Sequence, residues 1–179
     1  SEGSLLHFHE DVELVKELFS KYKKEEILVI YTPAVPKDHA EFVYLQENGF
    51  QLQKRAWVLG EITKQFRTIA IAGTHGKTTT SALLALAMID LGLDPLAVIG
   101  SQVPQFGYTN AYPGQGDYLV AETCEYRRHF LHFHPSHIIL TNIEADHLDY
   151  FKDIDDIIGA FRQYVERLPA QGTLVACID

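Results

Sequence analysis

The most informative part of the sequence is Thr68-Ile69-Ala70-Ile71-Ala72, followed by Gly73-Thr74-His75-Gly76-Lys77-Thr78-Thr79-Thr80. The first five residues form an apolar, β-branched run, which predicts a buried strand. After the glycines and the lysine, an apolar segment predicts a helix over residues 78–91, ended by Gly92. A strand, a glycine-bearing loop and a helix in this order are the context in which a loop binds phosphate groups.

The residue types in this loop match the chemistry of phosphate binding. Glycines let the backbone curl so that successive N–H groups point inward, and the N-terminus of a helix adds partial positive charge. We expect Lys77 to reach the β- and γ-phosphates and the Thr78 hydroxyl to ligate Mg²⁺. The strict phosphate-loop pattern requires glycine at position 71, where this chain has Ile71, so the loop is a shorter G-x-x-G-K-T form. An ordinary turn between a strand and a helix is the alternative.

Two further strand ends supply candidate ligands. Glu122 ends an apolar run at residues 118–121, and parallel strands present ligands at their carboxyl ends, so we expect Glu122 to hold a metal ion. A second run at residues 137–140 is followed by three polar residues, Asn142, Asp146 and His147. From the residues alone, His147 is a base, a metal ligand, a phosphate donor or an incidental neighbour of a capping Asp146.

The alternation of strands and helices predicts an α/β fold with a parallel sheet. Further helices are predicted at residues 11–22, 38–48, 56–63 and 154–168, the second capped by Asp38 and ended by Gly49. Further strands are predicted at residues 27–31, 50–53, 96–99, 118–121, 137–140 and 173–178, the first of them covered on both faces. The Gly/Pro/Tyr-rich segment 100–116 is predicted to be a loop, in which Asn110 either contacts a substrate or shapes a turn.

The element pattern predicts a domain boundary at residues 64–67. Residues 1–66 hold only two predicted strands, too few for a comfortable sheet of their own. The chain opens on a helix and stops after a strand that would normally lead into another helix. We therefore expect both ends to be cut and the chain to be a piece of a longer protein.

Composition excludes several classes of protein. The chain has 179 residues, of which 46% are hydrophobic and 22% charged, with a net charge of −9. No apolar run approaches the ~20 residues of a membrane helix, and the N-terminus lacks the layout of a signal peptide. Two cysteines make no disulfide framework, which favours the cytoplasm. An acidic chain is a poor general binder of nucleic acid.

Four segments, in family order, resemble the Mur ligase family of peptidoglycan synthesis. They are residues 31–36 (YTPAVP), 73–80 (GTHGKTTT), 121–126 (AETCEY) and 141–149 (TNIEADHLD). The resemblance implies a three-domain enzyme with a Rossmann-like domain for a UDP-sugar, a central P-loop ATPase domain and a C-terminal Rossmann-like domain. Residues 1–66 would be the C-terminal part of the first domain, and residues 67–179 the N-terminal part of the central one.

The resemblance also implies a reaction and roles for particular residues. The histidine of the loop and the Glu-x-x-Glu segment resemble the branch in which ATP activates the lactyl carboxylate of UDP-N-acetylmuramate and L-alanine attacks the acyl phosphate. Nucleotide contacts are then implied for Gly73, Thr74, His75, Gly76, Lys77, Thr78 and Thr79. Metal binding is implied for Thr78, Glu122 and His147, catalysis for Lys77 and His147, and substrate binding for Asn110, Glu125 and Asn142.

Alternatives to this reading remain at the level of sequence. One is a recycling ligase that adds a preformed tripeptide to UDP-N-acetylmuramate, and another is a non-catalytic nucleotide-binding module. The expected partners are the small-molecule substrates and the missing domains of the same ligase, with no nucleic acid and no membrane. Because those domains are missing, we expect the isolated chain not to turn over.

Overall fold

The computed structural model describes residues 9–177 and divides the chain into two compact units. The first unit ends at Val58 and the second begins at Leu59, within the helix α3 at Arg55–Thr63. The domain boundary predicted at residues 64–67 follows this helix and stays a prediction. The predicted end of the last strand, at Ile178, lies outside the described residues. Over residues 9–177, none of the helices combines the length and apolarity needed to span a bilayer.

The first unit contains a two-stranded parallel sheet and two helices. The helices are α1 at Val12–Phe19 and α2 at Ala40–Glu47, and the strands are β1 at Leu28–Tyr31 and β2 at Gln51–Lys54. A short 3₁₀ helix at Lys24–Glu26 precedes β1. The strands pair with Leu28 opposite Gln51. All four elements were predicted, with bounds that differ by a few residues.

Two details of the first unit correct the sequence analysis. Asp38 does not cap α2, because the helix begins at Ala40 and His39 occupies the cap position, without a side-chain hydrogen bond. The strand β1 is not covered on both faces, since Leu28 and Ile30 on one face are 48% and 49% exposed. In a strand, residues two apart share a face, so one whole side of β1 is open to solvent in the described structure.

The second unit is built on a six-stranded sheet. Its strands are β3 at Arg67–Ala72, β4 at Leu96–Val103, β5 at Thr109–Pro113, β6 at Tyr118–Glu122, β7 at His137–Leu140 and β8 at Thr173–Ala176. The helices are α4 at Lys77–Asp90 and α5 at Ile154–Val165, with 3₁₀ helices at Pro104–Phe106 and Tyr126–His132. The strand order is β5-β4-β6-β3-β7-β8. The strand β3 therefore lies between β6 and β7, and both are parallel to it.

The prediction of an all-parallel sheet is wrong at one edge. The strand β5 pairs antiparallel with β4, whereas the segment 100–116 was predicted to be a loop. Its glycines, prolines and tyrosines are typical of turns, and Pro113 is tolerated because β5 is an edge strand. The other neighbouring strands of this sheet are parallel, as predicted.

Side chains of β3 point alternately to the two faces of the sheet and join a hydrophobic core on each face. Ala70 and Ala72 join a core with Phe130 and Phe161, the latter on α5. Ile71 joins the other core, which includes Met88 of α4. Burial on both faces fixes the register of β3, and it fixes where the strand ends and the glycine-bearing loop begins.

Candidate functional site

The loop at residues 73–76 connects β3 to α4 in a conformation that requires glycine. Gly73 and Gly76 have φ angles of +130° and +78°. A Cβ atom at Gly73 would lie 2.1 Å from the Thr141 hydroxyl oxygen, whereas a Cβ at Gly76 would meet nothing within 4 Å. Gly73 is therefore required by close packing as well as by its backbone angle, and Gly76 by its angle alone.

The segment after β7 forms one wall of this loop. The backbone N–H of His75 donates to Asn142 Oδ1 at 2.9 Å, and Asn142 Nδ2 donates to the His75 carbonyl at 3.1 Å. The Thr141 hydroxyl donates to the same carbonyl at 2.6 Å, and the Thr74 N–H donates to the Asn142 carbonyl at 3.0 Å. Asn142 thus uses its side-chain amide on the loop backbone, and its predicted role in substrate binding stays a prediction.

Thr78 and Glu122 meet at the start of α4. The Thr78 hydroxyl donates to Glu122 Oε1 at 2.9 Å, and the other carboxylate oxygen accepts from the Gly100 N–H at 2.7 Å and from Ser81 Oγ at 3.5 Å. A Cβ at Gly100 would lie 2.5 Å from Glu122 Oε1, so this glycine leaves room for the carboxylate. The structure therefore brings together two of the three residues predicted to hold a metal ion.

The spacing of these two oxygens fits Mg²⁺. Octahedral Mg²⁺ binds oxygen ligands at about 2.0–2.1 Å, which places adjacent ligands about 3 Å apart. The separation of 2.9 Å between Thr78 Oγ1 and Glu122 Oε1 matches that edge. Within residues 9–177, no group of three or more His, Cys, Asp or Glu side chains forms a metal-binding cluster.

Lys77 is turned back onto its own loop. Its ammonium group donates to the carbonyl oxygens of Gly73 and Thr74, at 2.5 and 3.0 Å. It also donates to both carboxylate oxygens of Glu125, at 3.3 and 3.1 Å. Glu125 is only 3% exposed, so the pair is shielded from water. Lys77 and Glu125 are 48 residues apart, and nothing in the sequence pattern indicated this ion pair.

His147 also lies close to Glu125. Its Nε2 is 3.8 Å from Glu125 Oε1, and its ring packs against Tyr126 with centroids 4.8 Å apart. Asp146 accepts a hydrogen bond from the backbone N–H of His147 at 2.7 Å rather than from its ring. The backbone of His147 has a φ angle of +51°, which is unusual for a residue other than glycine and common at functional sites.

The remaining predicted residues lie at the edges of this region. His75 is exposed, and its Nε2 lies 3.7 Å from a carboxylate oxygen of Glu144. Asn110 lies on β5 in a cleft of about 620 Å³ lined by Gly100, Ser101, Gln102, Tyr108, Thr109 and Asn110. Gly100 also binds Glu122, so one end of the cleft adjoins the carboxylate.

Cys124 lies between the two glutamates of the Glu-x-x-Glu segment. Desolvation raises the pKa of its thiol, and the neighbouring Glu125 carboxylate adds to the effect. A raised pKa keeps the thiol protonated at neutral pH, whereas a nucleophilic cysteine requires the thiolate. The net effect of the site is therefore to disfavour the Cys124 thiolate, since desolvation outweighs the lowering of the pKa by the Tyr126 backbone and Lys77.

The contributors to the site that sequence reasoning missed include Ser81, Gly100, the Thr141 hydroxyl and the backbone of Glu144. Glu144 donates its N–H to the Thr74 hydroxyl at 2.9 Å. The available signal was weak, since Gly100 directly follows a predicted strand and Ser81 lies one turn after Thr78 on the predicted helix. Neither pattern indicates which side chain a residue will meet.

Sheet, loop and helix together have a recognisable arrangement. A parallel sheet carries a glycine-bearing loop after a central strand, a lysine and a threonine open the next helix, and an acid ends the neighbouring strand. This is the arrangement of a P-loop nucleotide-binding domain. Residues 71–179 match the Mur ligase middle domain, and the chain belongs to the Mur ligase family.

Relatives with curated names are similar to this chain over much of its length. A UDP-N-acetylmuramate–L-alanine ligase from Desulfitobacterium hafniense is 46% identical over 147 residues, which is 82% of this chain and 32% of the relative. A protein of the same name from Cytophaga hutchinsonii is 38% identical over 182 aligned residues, covering 100% of this chain and 39% of the relative. The chain thus spans between about a third and two fifths of the length of these relatives.

Solved structures of ligases are similar to this chain in fold. A UDP-N-acetylmuramate:L-alanyl-γ-D-glutamyl-meso-diaminopimelate ligase from Neisseria superposes with a TM-score of 0.77 at 25% identity, covering 95% of this chain and 56% of the other. A UDP-N-acetylmuramate–alanine ligase from Thermotoga maritima has a TM-score of 0.74 at 28% identity, covering 83% of this chain and 34% of the other.

Proposed function

We propose that this chain is part of an ATP-dependent ligase that joins L-alanine to the lactyl carboxylate of UDP-N-acetylmuramate through an acyl phosphate, in cytoplasmic peptidoglycan precursor synthesis. The observation that carries the proposal is the 2.9 Å pairing of Thr78 with Glu122 at the start of the loop helix. Named relatives at 38–46% identity support the choice of reaction.

The residues of the loop supply the groups that the first step requires. A carboxylate and a triphosphate repel each other, so cations must hold them in line for phosphoryl transfer. The N–H groups of the loop and the ammonium group of Lys77 bind the phosphates, while Thr78 and Glu122 hold Mg²⁺. The metal ion supplies charge neutralisation as a Lewis acid. By the resemblance to the family, His147, whose Nε2 lies 3.8 Å from Glu125 Oε1, would serve a second Mg²⁺ near the acyl phosphate.

We assign the UDP-sugar to the cleft beside the Glu122 carboxylate. The cleft that contains Asn110 adjoins Gly100, which binds Glu122. A substrate in this cleft would place its reacting carboxylate near the metal site. We assign residues 1–66 to the C-terminal part of the UDP-sugar-binding domain and residues 67–179 to the N-terminal part of the central domain. The missing parts of the ligase are the partners of this chain.

A recycling ligase is the second candidate function. The Neisseria ligase, whose name includes a tripeptide, has a TM-score of 0.77, and the Thermotoga alanine ligase has one of 0.74, so similarity of fold does not separate the two candidates. Both reactions use UDP-N-acetylmuramate and ATP and differ in the amine that attacks. Formation of ADP by the longer parent chain with L-alanine, and not with the tripeptide, supports the first candidate, and the opposite result supports the second.

Calorimetric titration of Mg-ATP tests whether the loop works in this chain. We expect binding by the wild-type chain and loss of binding in Lys77→Ala, because the ammonium group is the main positive charge at the phosphates. Titration of GTP provides the control for specificity. Tighter binding of GTP than of ATP contradicts the ligase and favours a nucleotide-binding module, and ATP binding that is unchanged in Lys77→Ala contradicts the placement of the phosphates.

A further inference from the structure

The ammonium group of Lys77 has no donor left for a phosphate in this structure. An ammonium group carries three N–H donors. Those of Lys77 are taken by the carbonyls of Gly73 and Thr74 and by the carboxylate of Glu125. A nucleotide phosphate can therefore be bound by Lys77 only if one of these three acceptors gives up its hydrogen bond.

Glu125 is the acceptor best placed to be exchanged. The two carbonyls belong to the loop backbone, which is fixed by its bonds to the segment after β7. The contacts to Glu125, at 3.1 and 3.3 Å, are longer than those to the carbonyls. A carboxylate is also the group most like a phosphate oxygen in charge, so the two anions compete for the same cation.

A second contact indicates which group Glu125 can bind once a phosphate has replaced it at Lys77. A carboxylate that is only 3% exposed requires a hydrogen-bonding partner, because burying an unpaired charge is costly. His147 Nε2 lies 3.8 Å from Glu125 Oε1, just beyond hydrogen-bond length. A small movement of the Glu125 side chain would therefore exchange Lys77 for His147.

We propose that Glu125 is a positioning residue that holds the Lys77 ammonium group against the loop carbonyls, competes with the phosphates for it, and turns to His147 once they bind. This inference rests on the proposed function, since it takes the loop as a phosphate site. It makes Glu125 an internal link between the phosphate loop and His147.

Inorganic tripolyphosphate is the probe for a direct test, because it engages the loop without a base or a ribose. The variants are Glu125→Gln, which keeps the shape and removes the charge, Lys77→Met, and the double variant. Because a charge-assisted hydrogen bond is roughly twice as strong as a neutral one, we expect Glu125→Gln to bind about three- to tenfold more tightly. In the Lys77→Met background the same change should alter affinity by less than about twofold, since the two residues act as a unit.

A matched control separates competition for Lys77 from the general effect of removing a negative charge. Glu166→Gln removes one negative charge from the exposed C-cap of α5, outside the loop and the segments that bind it. We expect this variant to change affinity by less than about twofold, because water and salt screen an exposed charge.

The outcomes distinguish this inference from the proposed function. If Glu125→Gln binds tripolyphosphate no more tightly than the wild-type chain, the inference is wrong and the proposed function stands. The same holds if Glu125→Gln raises the affinity equally with Lys77 and with Met at position 77. Binding by Glu125→Gln when the wild-type chain binds nothing supports the inference in its strongest form. Absence of binding by every variant overturns the inference together with the proposed function.

A measurement without ligand tests the first half of the inference independently. Urea unfolding of the wild-type chain and the three variants, with no ligand added, gives the coupling between Lys77 and Glu125. If Glu125 holds Lys77, the double variant should change the equilibrium constant of unfolding by a factor that differs at least about fivefold from the product of the two single effects. Additive effects contradict the holding role, whatever the titration shows.

Discussion

Asn142 holds both sides of the His75 peptide unit, accepting from its N–H at 2.9 Å and donating to its carbonyl at 3.1 Å. A side-chain amide has one acceptor and one donor side, which together match the N–H and C=O of a single residue. The two residues are 67 apart in the chain, so this pairing fastens the segment after β7 to the phosphate loop.

We therefore expect Asn142→Ala to loosen the loop. Each hydrogen bond contributes about 0.5–1.5 kcal/mol, so the free energy of unfolding should fall by about 1–3 kcal/mol. Urea unfolding measures the change, and Mg-ATP affinity should fall with it because the loop is less well formed. Asn110→Ala is the control, since Asn110 lies on an exposed edge strand away from the loop, and its unfolding should change by less than about 0.5 kcal/mol. Equal effects of the two substitutions contradict the clamping role of Asn142.

Removing the Thr78 hydroxyl should abolish the dependence of ATP binding on Mg²⁺. In wild type, we expect Mg²⁺ to tighten ATP binding, because Thr78 and Glu122 offer two adjacent oxygen ligands. In Thr78→Val, which keeps the shape of the side chain, calorimetry with and without Mg²⁺ should give similar affinities. Thr78→Ser restores the hydroxyl and should restore the dependence. Persistence of a full Mg²⁺ effect in Thr78→Val would place the ion elsewhere.

The two glycines of the loop should differ in their response to alanine. At Gly76 the added Cβ meets nothing within 4 Å, so only the left-handed backbone opposes it, at about 1–2 kcal/mol. At Gly73 the Cβ would lie 2.1 Å from the Thr141 hydroxyl, so the loop must also move away from the wall formed after β7. We expect Gly73→Ala to destabilise the chain more than Gly76→Ala in urea unfolding. The reverse order would contradict the close packing at Gly73.

The raised pKa of Cys124 predicts a pH profile for alkylation. In a Cys177→Ser variant, only Cys124 reacts with iodoacetamide, and the reaction requires the thiolate. Because desolvation raises the pKa above its ordinary value of 9.0, the midpoint of the rate profile should lie above that pH in the folded chain. The same variant in denaturant should show a lower midpoint, since unfolding removes the partial desolvation and the nearby Glu125 carboxylate that raise the pKa. A folded midpoint below the unfolded one would indicate an activated thiol.

Sequence patterns predicted most elements because those elements are encoded locally. The apolar run of β3, the glycines after it and the helical segment that follows are all visible within twenty-five residues. The antiparallel strand β5 was missed because its glycines, prolines and tyrosines are also typical of loops. The Asp38 cap was wrong by one position, which reflects the low precision of helix bounds.

Residue types at short spacing were enough to specify an α/β fold with a glycine-bearing loop between a strand and a helix. Which side chains meet that loop depends on how the sheet folds. Strands β6 and β7 lie on either side of β3, and this order brings Glu122 to Thr78, Glu125 to Lys77 and Asn142 to His75. These pairs are separated by 44 to 67 residues, and only the folded sheet converts such separations into contacts. The partner of each of these loop residues therefore follows from the strand order, which no local sequence pattern specifies.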